Sequence, residues 1–209
     1  MPRLERLPEP HIDYAYGLFL LKKKHRLIKA LNKRYKPSVH GDRTWESAFV
    51  MMDYLSHNPI KKNSTFMEIG CGWGGVAIFA GNHFNAKVTA VDLDPAVFPY
   101  LNVLAEINSV EVRKRCRDFT KMPGNLLGEQ NVIVGSDVCF WDSLVDPLVK
   151  MTWRALKNGT KRVIIADPGR PTFYEFCDKV GAKSRVSLQE WYCIEPDRHI
   201  GEVVEVRPR

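Results

Sequence analysis

Five short apolar segments alternate with helical patterns through most of the chain, and this alternation limits the fold more than any other feature. The segments are predicted strands at residues 65–69, 87–91, 110–116, 132–134 and 162–166. Apolar residues at helical spacing follow four of them, and a glycine-containing loop at 122–130 follows the third. Such an alternation predicts an α/β fold with a doubly wound, mostly parallel sheet. Two further predicted strands, 184–195 and 201–207, have no helix between them, which indicates a C-terminal antiparallel hairpin.

The first predicted strand runs directly into a glycine-rich turn. Glycine recurs at alternate positions there, at Gly70, Gly72 and Gly74. Without a Cβ atom, such a turn lets backbone N–H groups approach a ligand at the N-terminus of the next helix. The spacing Gly70-x-Gly72-x-x-Gly75 also satisfies the dinucleotide-binding pattern. The turn alone therefore leaves two cofactor classes open.

Acidic residues lie at or just past the ends of all five predicted strands. They are Glu68, Asp92, Asp118, Asp137 and Asp167. Ligands bind doubly wound sheets at the carboxyl ends of the strands. A carboxylate at Asp92 can accept hydrogen bonds from ribose hydroxyls. Asp118 and Phe119 together offer an acceptor for an adenine amino group and an apolar face for the ring.

The spacing Glu68-x-Gly70-x-Gly72-x-Gly74 resembles the first motif of the class I, seven-β-strand methyltransferases, which use S-adenosylmethionine. The short chain, the C-terminal hairpin and the adjacent Asp118 and Phe119 favour this family over the dinucleotide-binding dehydrogenases. The resemblance covers about residues 42–180.

Three further segments are similar to the branch of this family that contains protein-lysine methyltransferases and nicotinamide-N-methyltransferase-like proteins. They are the helix start at Trp45, the stretch from Asp92 to Asn108, and the acidic motif Gly135–Phe140. Phe140 stands where tyrosine is frequent in that branch.

The resemblance implies two sets of site residues. Those expected to bind S-adenosylmethionine, and the product S-adenosylhomocysteine, are Trp45, Glu68, Gly70, Cys71, Gly72, Asp92, Leu93, Asp118, Phe119 and Asp137. Those expected to place the acceptor near the methyl group are Asp137, Phe140 and Trp141. Asp137 would position the acceptor amine or act as a general base. Trp45 fits a core position equally well, and Trp141 equally fits the start of the next helix.

A protein lysine is the predicted acceptor, and a small-molecule amine is the alternative. Residues 136–140 lack the Asn/Asp-Pro-Pro-Tyr/Phe signature expected for adenine or glutamine amide nitrogens, which disfavours DNA as a substrate. A third interpretation is a methyltransferase-fold module that binds RNA or protein without catalysis, but intact Glu68, Asp92 and Asp118 argue against it. Arg170 either binds an anionic substrate group or pairs with a nearby acid, and pairing is favoured.

Residues 1–40 are predicted to form a basic helical extension of a methyltransferase domain at 41–209. A long helix is predicted over 13–36, capped by Asp13 and ended by Pro37, with a polar connector at 39–44. The basic side chains of this helix would recruit an acidic partner or cover the active site, or they would form a solvated face.

The net charge of +7 and the pI near 9.2 suggest an acidic partner. An acidic protein surface is preferred to nucleic acid. The five scattered cysteines include no C-x-x-C pair, so neither a metal site nor a disulfide framework is expected. No segment approaches membrane-spanning length, and residues 1–10 lack the apolar core of a signal peptide. A cytoplasmic monomer is the expectation.

Overall fold

The computed structural model describes residues 11–38, 41 and 43–209. The first ten residues of the predicted extension lie outside the described residues, as do positions 39, 40 and 42 of the predicted connector. None of the helices in the described ranges is both long enough and apolar enough to cross a membrane.

The described part of the chain forms nine strands and seven α-helices. The strands are β1 (Ile12–Ala15), β2 (Leu18–Leu21), β3 (Thr65–Ile69), β4 (Lys87–Asp92), β5 (Val112–Cys116), β6 (Val132–Ser136), β7 (Arg162–Asp167), β8 (Arg185–Cys193) and β9 (His199–Arg207). The helices are α1 (Arg26–Asn32), α2 (Glu46–His57), α3 (Gly75–Phe84), α4 (Phe98–Ile107), α5 (Gly124–Gly128), α6 (Asp142–Lys157) and α7 (Pro171–Gly181).

Seven of the strands form one sheet in the order β5-β4-β3-β6-β7-β9-β8. Strands β3 to β7 are parallel, and β9 runs antiparallel between β7 and β8. This confirms the predicted doubly wound sheet and its C-terminal hairpin. Ile69 pairs with Val91 on one side and Gly135 on the other, so β3, β4 and β6 end at the same level. The strand order reverses at β3, where ligands bind in such folds.

Alternate residues of the central strands face two apolar cores. Phe66 and Val134 pack in the core that includes α2, α3 and α4, whereas Met67 and Ile133 pack in the core that includes α6 and α7. Because helices cover both faces, the strands are continuous apolar segments rather than alternating apolar and polar ones. That continuity is what made them recognisable in the sequence.

The turn from β3 into α3 has the glycine requirement that the sequence predicts. Gly70, Gly72 and Gly74 have φ values of 58°, 49° and 72°. Only glycine adopts this left-handed region without steric cost. A Cβ atom on Gly74 would also lie 2.6 Å from Leu101 Cδ1 of α4. The turn therefore brings α4 close to the start of α3.

The predicted helix over residues 13–36 is wrong in its first half. Strands β1 and β2 form an antiparallel hairpin there, and helix is confined to α1. Tyr16 and Gly17 form the turn with φ values of 49° and 70°. Two consecutive positive φ values are typical of a two-residue hairpin turn and are incompatible with a right-handed helix. Gly17 indicates a turn, but the helical spacing of the apolar residues around it was given more weight.

The boundaries predicted for that helix are wrong for related reasons. Asp13 does not cap a helix but pairs with Lys22 across the hairpin at 2.6 Å. The N-cap residue of α1 is His25, whose Nδ1 accepts from Leu27 N–H, and α1 ends well before Pro37. Of the basic residues predicted to lie on the 13–36 helix, only Arg26 and Lys29 lie on α1.

The hairpin β1–β2 is held to the rest of the fold by hydrogen bonds at two places. Tyr16 N–H donates to Glu195 Oε2 at 2.7 Å, and Tyr16 O–H donates to Asp53 Oδ2 of α2 at 2.8 Å. Asn108, just after α4, accepts from Phe19 N–H at 2.8 Å and donates to Phe19 O at 2.9 Å. The hairpin thus packs on the sheet's helical layer rather than projecting from it.

We expect Asn108→Leu to weaken the attachment of this hairpin. The substitution removes both bonds to Phe19 and leaves their backbone groups without their partner, at a cost of about 1–3 kcal/mol. Urea denaturation would measure the loss, and hydrogen exchange would show faster exchange of the Phe19 amide. Asn102→Leu, at an exposed position of α4, is the matched control. Equal effects of the two substitutions would contradict the assignment.

Candidate active site

A cleft of about 580 Å³ lies at the carboxyl ends of the parallel strands. Its volume is in the range of small-ligand sites. All twelve predicted site residues line it, namely Trp45, Glu68, Gly70, Cys71, Gly72, Asp92, Leu93, Asp118, Phe119, Asp137, Phe140 and Trp141. The structure brings these residues together, and their individual roles stay predictions.

Glu68 is buried at the end of β3, beneath the start of α3. Its Oε2 accepts from Ala77 N–H at 2.8 Å. Burial raises the pKa of Glu68 from 4.5 to about 8, although hydrogen bonds from the Ala77 and Val76 amides oppose the rise. Near neutral pH the group is therefore mostly a neutral acid.

Asp92 connects the end of β4 to the glycine turn. Its Oδ2 accepts from Gly72 N–H and its Oδ1 from Asp94 N–H, both at 2.9 Å. Burial raises the pKa of Asp92, and these backbone donors counteract the rise. A carboxylate has about four acceptor positions, so Asp92 can hold the turn and still accept from ligand hydroxyls.

Asp118 follows β5 at the far end of the cleft, beside the half-buried ring of Phe119. Its Oδ1 accepts from Thr120 N–H at 3.0 Å and from Thr120 Oγ1 at 2.6 Å, and Lys121 Nζ lies 3.2 Å from Oδ2. Partial burial alone would raise the pKa of Asp118, but these donors outweigh it and hold the pKa below its ordinary value. An ionised acceptor thus stands next to an apolar face.

Asp137 follows β6 in a left-handed conformation with φ 57°. Its Oδ1 accepts from Arg170 Nη2 at 2.8 Å, and Arg170 Nη1 donates to Asp167 Oδ2 at 2.7 Å. Both carboxylates are buried, and Asp167 is fully so. Arg170 therefore joins the ends of β6 and β7, which agrees with the favoured interpretation that it pairs with an acid.

Aromatic rings surround this ion-pair cluster. The guanidinium of Arg170 lies 4.2 Å from the centroid of the Phe140 ring. Phe140 in turn meets Trp45 edge to face, with centroids 6.5 Å apart. Trp141 is half exposed and is the N-cap residue of α6, so it both begins the helix and lines the cleft. Apolar rings and buried charges thus alternate around Asp137.

Sequence reasoning missed Ser136. This last residue of β6 lines the cleft, and its buried Oγ has no hydrogen-bond partner among the described residues. A buried hydroxyl without a partner is costly, which suits a position that a ligand completes. With carboxylates at Asp92 and Asp118 and the ring of Phe119, the cleft fits the hydroxyl and adenine groups of S-adenosylmethionine. A single serine inside an apolar run carried no distinguishing pattern.

Comparison with known proteins agrees with the site. Residues 66–159 match the family model of a methyltransferase domain. A crystal structure of a methyltransferase from Pyrococcus furiosus aligns with a TM-score of 0.60 at 18% identity, covering 87% of this chain and 94% of that one. Magnesium protoporphyrin IX methyltransferase from Synechocystis, with bound SAH, aligns with a TM-score of 0.57 at 11% identity, covering 78% and 82%.

The sheet has the fold of the class I methyltransferases, as the sequence predicts, and residues 66–159 resemble a methyltransferase domain. The chain is also 28% identical over 132 residues to the Xenopus laevis protein named electron transfer flavoprotein beta subunit lysine methyltransferase. That alignment covers 62% of this chain and 52% of the relative, so the chain spans about half the length of the curated relatives it matches. The predicted resemblance to the protein-lysine methyltransferase branch is confirmed.

We expect Glu68→Gln to stabilise the unliganded protein increasingly as the pH rises. The pKa of Glu68 is higher in the folded state than its ordinary 4.5. Its contribution is therefore fully present below pH 4.5 and declines as the pH rises to about 8. At pH 8 the variant should be more stable than the wild type by at least about 1 kcal/mol. For a chain of this size, about 1 kcal/mol raises the melting temperature by about 2–4 °C. Calorimetric melting at pH 5 and pH 8 would measure this, with exposed Glu106→Gln as control. Parallel pH curves for wild type and variant would contradict it.

We expect Arg170→Ala to destabilise the protein by about 3 kcal/mol, because two buried carboxylates lose their counterion. Urea denaturation would measure the change. The matched control is Lys179→Ala, since Lys179 also joins two carboxylates, Asp146 and Glu175, but on the surface. Exposed ion pairs contribute little, so the control should barely shift the midpoint. A similar shift for both variants would show that Arg170 has no special role.

Proposed function

We propose that the chain transfers a methyl group from S-adenosylmethionine to the side-chain amine of a lysine in a protein. The observation that carries this proposal is the position of Asp137. It lines both the cleft and an adjoining groove of about 740 Å³, and Trp45 is the other residue shared by the two. An acceptor can therefore approach Asp137 through the groove while the cleft holds the cofactor.

Within this proposal, the residues of the cleft divide the cofactor between them. The glycine turn and Glu68 would lie against its methionine part, Asp92 would accept from its ribose hydroxyls, and Asp118 with Phe119 would hold its adenine. Bound S-adenosylmethionine supplies an activated methyl group and becomes S-adenosylhomocysteine.

Asp137 would position the acceptor amine rather than act as a strong base. Its Oδ1 is already bound by Arg170, so Oδ2 is the oxygen that would accept from a lysine N–H. A lysine must lose a proton before its nitrogen has a lone pair to attack with. Removal of the amine from water in the apolar part of the cleft favours the neutral amine over the ammonium. Arg170 offsets part of the attraction of Asp137 for the charged form, while Asp137 orients the amine.

The name of the curated relatives leads us to propose the electron transfer flavoprotein beta subunit as the substrate protein. We also propose that residues 1–40 serve as an N-terminal extension of the domain at 41–209. A reducing compartment such as the cytoplasm suits the cysteines, since all five are free and four of these are buried.

Two substitutions test the proposal through different steps. Asp92→Ala should weaken S-adenosylhomocysteine binding at least about tenfold, because charge-assisted bonds to the ribose are lost. Asp137→Asn should weaken that binding less than Asp92→Ala does and should lower the methylation rate about 100-fold, because the acceptor amine is no longer positioned. Titration calorimetry measures the first effect. Labelled methyl transfer to purified electron transfer flavoprotein beta subunit, followed by peptide mass spectrometry, measures the second.

The label should be found on a lysine side chain. Beta subunit whose lysines have been acetylated is the control and should stay unlabelled. Label confined to a small-molecule amine in a lysate would replace the protein substrate with the alternative acceptor class. Unchanged cofactor affinity in Asp92→Ala would show that the cleft has been assigned to the wrong ligand.

A further inference from the structure

The hairpin formed by β8 and β9 presents large apolar side chains to solvent at its tip. Tyr192, Ile194 and Ile200 are 58%, 65% and 58% exposed, and we call these three residues the hairpin patch. Tyr192 and Ile200 are directly paired across the two strands, so their side chains lie on the same face. Single exposed apolar residues are ordinary, but a contiguous group of them is typical of an interaction site.

The sheet register places this patch beside the active site. Asp167, the last residue of β7, pairs with Glu202, so residues 198–200 extend past the carboxyl end of β7. Ile200 lines the same groove as Asp137 and Arg170. The hairpin patch is therefore continuous with the route by which an acceptor reaches Asp137.

The charges around the groove differ between its floor and its rim. At the floor lies the carboxylate of Asp137, whose Oδ1 is paired with Arg170 and whose Oδ2 can accept from an amine. At the rim lies the exposed Arg198, whose guanidinium is 5.8 Å from the centroid of the Tyr192 ring. A cation stacked beside an apolar ring suits a partner that brings a carboxylate next to an apolar side chain.

We propose that the hairpin patch is where the protein substrate docks. The docked segment carries the target lysine, places an apolar side chain on Tyr192, Ile194 and Ile200, and pairs a carboxylate with Arg198. This inference rests on the proposed function and adds the chemistry of the sequence around the lysine. It also explains why the apolar surface lies at the mouth of the groove.

The opposite edge of the sheet supports this assignment by contrast. Strand β5 ends the sheet there with Arg113, Lys114 and Arg115, and charged side chains of this kind prevent pairing with other chains. Strand β8, the edge nearer the groove, instead exposes Val186 and Leu188. Tyr192 and Ile194 lie outside the lining of the groove, so a small-molecule amine in the groove would not cover them, whereas a macromolecular substrate would.

The test compares Ile194→Arg and Tyr192→Ala, two patch residues outside the groove, with Ile107→Arg, which makes the same isoleucine-to-arginine change at an exposed position of α4. The probes are purified electron transfer flavoprotein beta subunit and, as a small acceptor, N-acetyl-lysine amide. For each hairpin variant we expect the KM for the beta subunit, and its Kd by interferometry, to rise at least about tenfold. The kcat, the affinity for S-adenosylhomocysteine, the melting temperature and transfer to the small acceptor should stay within about twofold of wild type.

Arg198→Ala gives a second route if a hairpin variant melts early. It should raise the same KM several-fold, and more weakly at high salt. If wild type labels the beta subunit and the hairpin variants match Ile107→Arg, the docking proposal is wrong. If the hairpin variants turn a wild-type dimer into a monomer, the patch is a self-interface and the proposal is wrong. If wild type labels no lysine of the beta subunit, the proposed function fails, and this inference fails with it.

Discussion

Carboxyl groups that crowd one edge of the sheet are the constraint on which the rest of the site depends. Parallel strands must end together, so Glu68, Asp92, Asp118, Asp137 and Asp167 are brought close to one another. Each is compensated differently: burial keeps Glu68 protonated, backbone amides hold Asp92, neighbouring donors hold Asp118, and Arg170 bridges the last two. These compensations also fix the glycine turn, the start of α7 and the orientation of Asp137.

The sheet and the location of the cleft could be predicted because both follow from local sequence patterns. A buried parallel strand is a short apolar run, and its end is marked by the polar residue that follows. The strand predicted at 132–134 continues for two more residues in the structure, to Ser136. The glycines and acids needed no knowledge of distant partners, since parallel topology alone brings strand ends together.

Features that depend on distant partners could not be predicted in the same way. The sequence indicates that Arg170 pairs with an acid, but Asp137 is 33 positions away and only the fold identifies it. The hairpin of β1 and β2 was predicted as a helix because, over so short a segment, the spacing of its leucines fits both the helical period and the two-residue period of a strand. Burial against α2, α3 and α4 decides between them, and that burial is a tertiary effect.

The hydrogen bond from Tyr16 to Glu195 joins positions 179 residues apart. A contact of such large sequence separation requires nearly the whole chain to be in place before it can form. During synthesis the first hairpin emerges long before the last one. The bond from Tyr16 N–H to Glu195 can therefore form only after β8 has been synthesised, whereas the bond from Tyr16 O–H to Asp53 needs only the first quarter or so of the chain.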